Sequence, residues 1–194
     1  YQRYILSDGQ ANESLRKVVG EEDYPNTKIL DIYSLEFLDL PNNYSEMDLK
    51  KAIMINLKDF ILEIGKDFTF VGDEYRVQVG GEDFYIDLLF YNRTLSCLVA
   101  FELKTEKFQP EYISKMDFYL EALDRQEKKE NENPSVGIIL CSDKNEQVVE
   151  YTMNRSLSPT MVSKYTLNLI DKKLLEEKLR EIKNIVEENQ EKMS

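Results

Sequence analysis

The sequence predicts an α/β (α+β) protein: a mixed β-sheet core flanked by helices, in the order helix, three strands, helix, strand, helix and a last strand. Three observations carry this. An apolar stripe at helical spacing (Ile53, Leu57, Phe60, Ile61, Ile64) precedes consecutive strand-like runs over residues 68–103. A second helical stripe follows at Ile113, Met116, Tyr119, Leu120 and Leu123. After it comes Val136-Gly-Ile-Ile-Leu-Cys141, a short apolar run of the kind that fits a buried sheet interior.

Residues 1–40 have little periodicity, with turn signals at Asp8-Gly9 and Tyr24-Pro25, and read as an N-terminal arm or linker remnant. Ile29–Tyr33 and Leu35–Leu40 supply apolar surface to dock on the core. The chain opens on Tyr1 rather than Met, as expected of a piece of a longer protein. Pro41–Ser45 is a turn, and Ser45 with Asp48 forms a capping-box start for one helix running to Gly65, a residue suited to its C-cap. Asn56 and Glu63 border the apolar stripe of that helix, so Glu63 is positioned to hold a carboxylate near the sheet; a solvated rim is the plainer alternative.

Phe68–Gly72 and Tyr75–Val79 are strand material with a bend or bulge at Gly72-Asp73, and Gly80-Gly81 marks a hairpin. Phe84–Tyr91 and Leu95–Leu103 follow as two antiparallel strands around Asn92-Arg93-Thr94. Pro110 fits the first turn of a helix that reaches Lys129. Asn145–Met153 reads as a short helix and Thr160–Leu167 as an edge strand. Asp171–Lys192 reads as a charged helix with a narrow stripe at Leu175, Leu179, Ile182 and Val186, suited to packing on the body or on a partner subunit. The expected division is thus an arm (1–40), a core domain (41–170) and a C-terminal charged helix (171–194).

The composition excludes several classes of function. With no histidine in 194 residues, Ser-His and Cys-His triads and His-ligated zinc are ruled out. Cys97 and Cys141 sit in predicted buried strands without CxxC spacing and read as reduced core thiols. No apolar run approaches the ~18 residues of a membrane-spanning helix, and no signal-peptide pattern opens the chain, so a cytoplasmic location is expected. The net charge of −12 argues against nonspecific coating of nucleic acid, although residues 151–170 are free of acid.

Charge falls in the wrong place in one stretch. Asp87 interrupts the run Tyr85–Tyr91, and Glu102 and Lys104 end the run Leu98–Phe101. In a strand, Glu102 and Lys104 project from one face and Phe101 and Leu103 from the other. A hairpin centred between Thr94 and Leu95 sets Asp87 opposite Glu102, with Cβ atoms ~5 Å apart. Two carboxylates so placed repel unless a positive charge lies between them. Mg²⁺ satisfies them: it takes oxygen ligands, keeps several waters and is held by one or two carboxylates plus substrate phosphate. Asp87, Glu102 and the Leu103 backbone carbonyl would be its ligands. Lys104 would orient or help deprotonate an attacking water and stabilise charge on the phosphate. The alternative is a set of salt bridges from Asp87 and Glu102 to Arg76, Arg93 or Lys104 at a sheet edge.

Asp87 followed by Glu102-x-Lys104, in this order of elements, resembles the PDDEXK nuclease superfamily. From Phe37 to about Tyr165 the chain resembles the C-terminal nuclease domain of YhcG-like bacterial proteins, through Phe60–Gly65, Phe70–Gly72, Asp83–Tyr91, Phe101–Lys104, Phe118–Leu120 and Gly137–Cys141. The resemblance implies a restriction-endonuclease-like fold and a Mg²⁺-dependent DNA endonuclease, with Mn²⁺ as a substitute. It implies Asp87, Glu102 and Lys104 as catalytic residues and an N-terminal DNA-binding domain ahead of this chain. Arg76, Lys107, Lys115 and Arg155 are candidate phosphate contacts, Glu63 a candidate acidic helper at the metal, and the C-terminal helix a candidate homodimer contact. The chain departs from the family pattern twice: Ser114-Lys115 stands in place of a glycine-glutamine pair, and Asp73-Glu74 in place of Arg-Gln. The alternative from another class is a catalytically silent nuclease-fold module that binds DNA or protein.

Overall fold

A computed structural model of the protein describes residues 29–167. Residues 1–28 of the expected arm, and the whole expected C-terminal helix with its dimer contact, lie outside the described residues.

Ile32–Ser34 forms β1. The first helical region is two helices rather than one, α1 (Glu46–Ile55) and α2 (Leu57–Ile64). Ser45 caps α1 in a full capping box with Asp48. The break falls at Asn56, whose side-chain amide donates to the Ala52 carbonyl at 2.9 Å and competes with the helical backbone. Gly65 ends α2 at φ 127°, a conformation open to glycine.

Then come β2 (Phe68–Val79), β3 (Glu82–Asn92) and β4 (Cys97–Leu103). The expected bulge in β2 lies between Phe70 and Gly72, one position earlier than the sequence suggests. The turn from β3 to β4 spans residues 93–96, with Asn92 Oδ1 accepting the Leu95 N–H at 2.9 Å. Then follow α3 (Tyr112–Gln126), β5 (Val136–Cys141), α4 (Glu146–Met153) and β6 (Thr160–Thr166).

The six strands form one sheet in the order β1-β6-β5-β4-β3-β2. β2, β3 and β4 pair antiparallel, and β4, β5, β6 and β1 pair parallel. β6 is therefore not an edge strand: Ile32–Ser34 pairs along it from Lys164 to Thr166. The periodicity of so short a strand is unreadable, and its pairing is settled only by the contact across more than 100 residues of chain.

Each face of the sheet is covered. On one, Leu49, Ile53, Phe60 and Ile64 of α1 and α2 pack on Leu88, Phe90, Phe101, Leu103 and Ile138. Phe60, Phe90 and Phe101 meet with centroids 5.4–6.0 Å apart, in tilted and edge-on geometry. On the other, Ile113, Met116, Tyr119, Leu120 and Leu123 of α3 pack on Leu89, Leu98, Ala100 and Ile139. Cys97 and Cys141 are buried free thiols. Among the described residues no helix is long and apolar enough to cross a membrane.

Candidate active site

Every residue of β4 is buried, and at its C-terminal end that burial includes charge. Glu102 is 2% exposed and Lys104 9%. The register pairing Leu89 with Ala100 and Leu88 with Phe101 sets Asp87 across from Glu102 when carried one residue further. There the ladder stops, and Asp87 Oδ2 accepts the Leu103 N–H at 2.9 Å in place of a backbone carbonyl. β4 meanwhile stays in register with β5, the Lys104 N–H donating to the Leu140 carbonyl at 2.9 Å. In a strand the N–H and C=O of one residue point to the same side, so the Leu103 carbonyl also faces the gap that β3 leaves.

Alternation puts Phe101 and Leu103 among the α1–α2 core and turns Glu102 toward α3. Glu102 Oε1 takes two ammonium groups, Lys104 Nζ at 3.1 Å and Lys115 Nζ from α3 in a shorter contact. Its second oxygen, Oε2, is buried and has no hydrogen-bond partner. Lys104 Nζ also bonds Glu46 of α1 at 3.1 and 3.2 Å and lies 5.2 Å from the Tyr112 ring centroid. Lys50, one turn along α1 from Glu46, reaches Glu74 at 2.7 Å and Asp87 Oδ1 at 3.8 Å.

The electrostatics follow from this packing. Burial, and then the Glu102 charge, raise the Asp87 carboxyl above the ordinary carboxylate value, against the Leu103 N–H and the charges of Lys50 and Lys115. Burial works against the Lys104 ammonium, but the charge of Glu102 and hydrogen bonds to Glu102 and Glu46 outweigh it and hold its pKa above the usual lysine value. Lys104 is therefore a cation, suited to orienting water and balancing charge on a phosphate.

The donor set fits a hard divalent cation. Asp87 lies across from Glu102 with the Leu103 carbonyl on the same side of β4, and Glu102 Oε2 is buried without a partner, at a cost of about 1–3 kcal/mol unless something positive meets it. Among the described residues no group of three or more His, Cys, Asp and Glu side chains is placed to hold a metal. The protein's share of ligands would therefore be two carboxylates and a carbonyl, the remainder being water and substrate, as Mg²⁺ prefers.

The structure separates the other expected residues. Glu63 lies elsewhere, accepting the N–H of Ser34 in β1, three strands from β4 in the sheet. The acid from the helical region that reaches the site is instead Glu46, at the start of α1. Arg76 is exposed and pairs with Asp83 across the β2–β3 hairpin at 3.5 Å. Lys107 is exposed where the chain leaving β4 bridges to Asp143, and Arg155 is exposed beyond α4. Of the four candidate phosphate contacts, Lys115 alone touches the carboxylate pair. Glu46 and Lys50 escaped sequence reasoning; the signal available was the capping box, which fixes the helix start and so places both on the turns that open toward β4.

The family model described as the YhcG PDDEXK nuclease domain matches residues 26–180. The Escherichia coli (strain K12) protein named Putative nuclease YhcG is 33% identical over 189 residues, covering 97% of this chain and 50% of that protein. The chain thus spans about half the length of the curated relative it matches. Among solved structures, a repair endonuclease from Pyrococcus abyssi aligns over 65% of this chain and 49% of its own, at TM-score 0.43 and 16% identity. EndoMS in an EndoMS–dsDNA2 complex aligns over 66% and 46%, at TM-score 0.43 and 15% identity.

Proposed function

We propose, because this chain belongs to the YhcG PDDEXK nuclease domain family, that it is a Mg²⁺-dependent DNA endonuclease domain with Asp87, Glu102 and Lys104 as its catalytic residues. The observation that carries the reading is Glu102 Oε2, a buried carboxylate oxygen left without a partner opposite a second carboxylate. Asp87, Glu102 and the Leu103 carbonyl would hold the cation, which when bound supplies Lewis-acid activation of the scissile phosphate and its attacking water. Asp87 keeps its carboxylate aimed through the Leu103 N–H. Lys104, held between Glu46 and Glu102, presents a fixed positive charge to the phosphoryl oxygens.

DNA as the nucleic acid, Mg²⁺ as the cation, a cytoplasmic site of action, a homodimer through residues 171–194 and a separate N-terminal DNA-binding domain belong to the same proposal. So does the division into an arm (1–40), a nuclease domain (41–170) and a C-terminal helix, with the arm's Ile32–Ser34 completing the domain's sheet as β1. The test is cleavage of plasmid and branched DNA with Mg²⁺, with chelator, and by Asp87→Ala and Lys104→Ala. Loss of cutting with chelator and in both variants is expected; equal cutting by the variants would sink the assignment.

One observation favours a second reading, a nuclease-fold module without catalysis. The ammonium groups of Lys104 and Lys115 already neutralise Glu102. Calorimetric titration with Mn²⁺ separates the two, since a silent module shows no binding that depends on Asp87 and Glu102.

A further inference from the structure

Lys115, in the first turn of α3, reaches across to Glu102 Oε1 of β4. Its own side chain is 47% exposed while Glu102 is 2% exposed. The half-exposed lysine thus ends on a buried oxygen, its ammonium 5.5 Å from the Tyr119 ring centroid. Tyr119 is fixed by donating to the Tyr85 carbonyl at 2.8 Å, so the ring is a rigid rest for the lysine. Met116, the next residue of α3, packs directly over Gly137 of β5, which holds this turn of the helix close to the sheet.

The Lys104 side chain, by contrast, is only 11% exposed and is held from two sides, by Glu46 and Glu102. The two lysines on Glu102 Oε1 are therefore not equivalent. One is locked in place, and the other has a long flexible stem, one carboxylate partner and open solvent behind it.

We propose that Lys115 is a built-in counter-ion: its ammonium balances the carboxylate pair in the cation-free protein, leaves Glu102 when a divalent cation binds, and becomes available to a phosphate of the nucleic acid. This rests on the reading of Asp87 and Glu102 as cation ligands. With Lys104 already on Oε1, Lys115 supplies the second positive charge beside the buried Glu102 and the Asp87 carboxylate across from it, and removing charge from a buried carboxylate is costly unless something replaces it. A divalent cation between Asp87 and Glu102 supplies more charge to the same oxygens, and like-charge repulsion then disfavours the ammonium beside it. The released lysine remains at the mouth of the site. Cation binding and phosphate binding are thereby coupled, each favouring the other.

The test uses Mn²⁺ as the probe, with the whole chain, read by calorimetry and by thermal unfolding with and without the ion. An adjacent opposite charge is worth one to three pKa units to a carboxylate, so removing the competing ammonium in Lys115→Met should tighten Mn²⁺ binding about tenfold or more. The same variant should unfold at lower temperature than the parent without Mn²⁺ and gain more from its addition. Lys115→Arg, which keeps the charge, should bind Mn²⁺ within about threefold of the parent. Lys115→Gln provides a second neutral variant should the methionine variant not fold. Equal Mn²⁺ affinity in the parent and the neutral variants, or weaker affinity in the latter, overturns the counter-ion while leaving the cation site standing. Absence of Mn²⁺ binding in every protein overturns both.

Discussion

Asp87 Oδ2 accepts the backbone N–H of Leu103 at 2.9 Å, and with that bond the β3–β4 ladder ends. The carboxylate both satisfies a buried donor and is aimed by it. The relationship makes the strand end and the candidate site one object: the backbone stops pairing where the side-chain chemistry begins.

Asp87→Ala and Asp87→Asn should therefore separate two roles. The alanine variant leaves the Leu103 N–H without a partner and should lose about 1–3 kcal/mol in urea denaturation. The asparagine variant keeps an acceptor and should stay within about 1 kcal/mol of the parent. Both should lose cleavage; an active Asp87→Asn would remove the residue from the catalytic set.

Glu46 touches Lys104 and not the carboxylate pair. Replacing it in Glu46→Gln removes one of two carboxylates that steady the Lys104 ammonium. Cleavage should fall about 10–100-fold, in line with the loss of an outer-shell partner, with kcat reduced and KM nearly unchanged. A variant as active as the parent would show that Glu102 alone positions the lysine.

Gly137 sets how closely α3 approaches the sheet. A Cβ there would lie 2.5 Å from Met116 Cγ and 2.8 Å from Thr160 Oγ1, closer than real contacts allow. Gly137→Ala should cost about 1–3 kcal/mol of stability. Because Met116 adjoins Lys115, it should also lift that lysine from Glu102, so Mn²⁺ affinity measured by calorimetry should change although residue 137 touches no ligand.

Stability should fall at alkaline pH. Burial pushes the Cys97 and Cys141 thiols from 9.0 up to about 12. The folded state keeps both protonated where the unfolded chain has released its protons. Their contribution is complete below about pH 9 and is lost as pH rises toward 12. Urea midpoints measured from pH 8 to 11 should decline, and Cys97→Ala should reduce the slope of that decline.

Much of this protein was legible in the chain itself, because its strongest signals are local. The apolar repeat of α3, the six-residue run of β5 and the capping box at Ser45 each follow from periodicity or from one side chain reaching three residues. The symmetry of the hairpin about Thr94 and Leu95 placed Asp87 opposite Glu102, since one register fixes every pair in an antiparallel ladder. Other features depend on contacts that sequence spacing does not encode. The helical pattern that reads as continuous is divided at Asn56, whose side chain bonds the Ala52 carbonyl, and Glu63 ends on Ser34 of β1 while Glu46 meets Lys104. β1 joins β6 only when chain segments more than 100 residues apart meet. Likewise the sequence by itself determined which residues carry charge into the core and on which strands. Only the tertiary structure decided that Lys115 and Lys104 share Glu102 Oε1 while Oε2 stands alone, because the distance from α3 to β4 is set by packing around Gly137 and Met116.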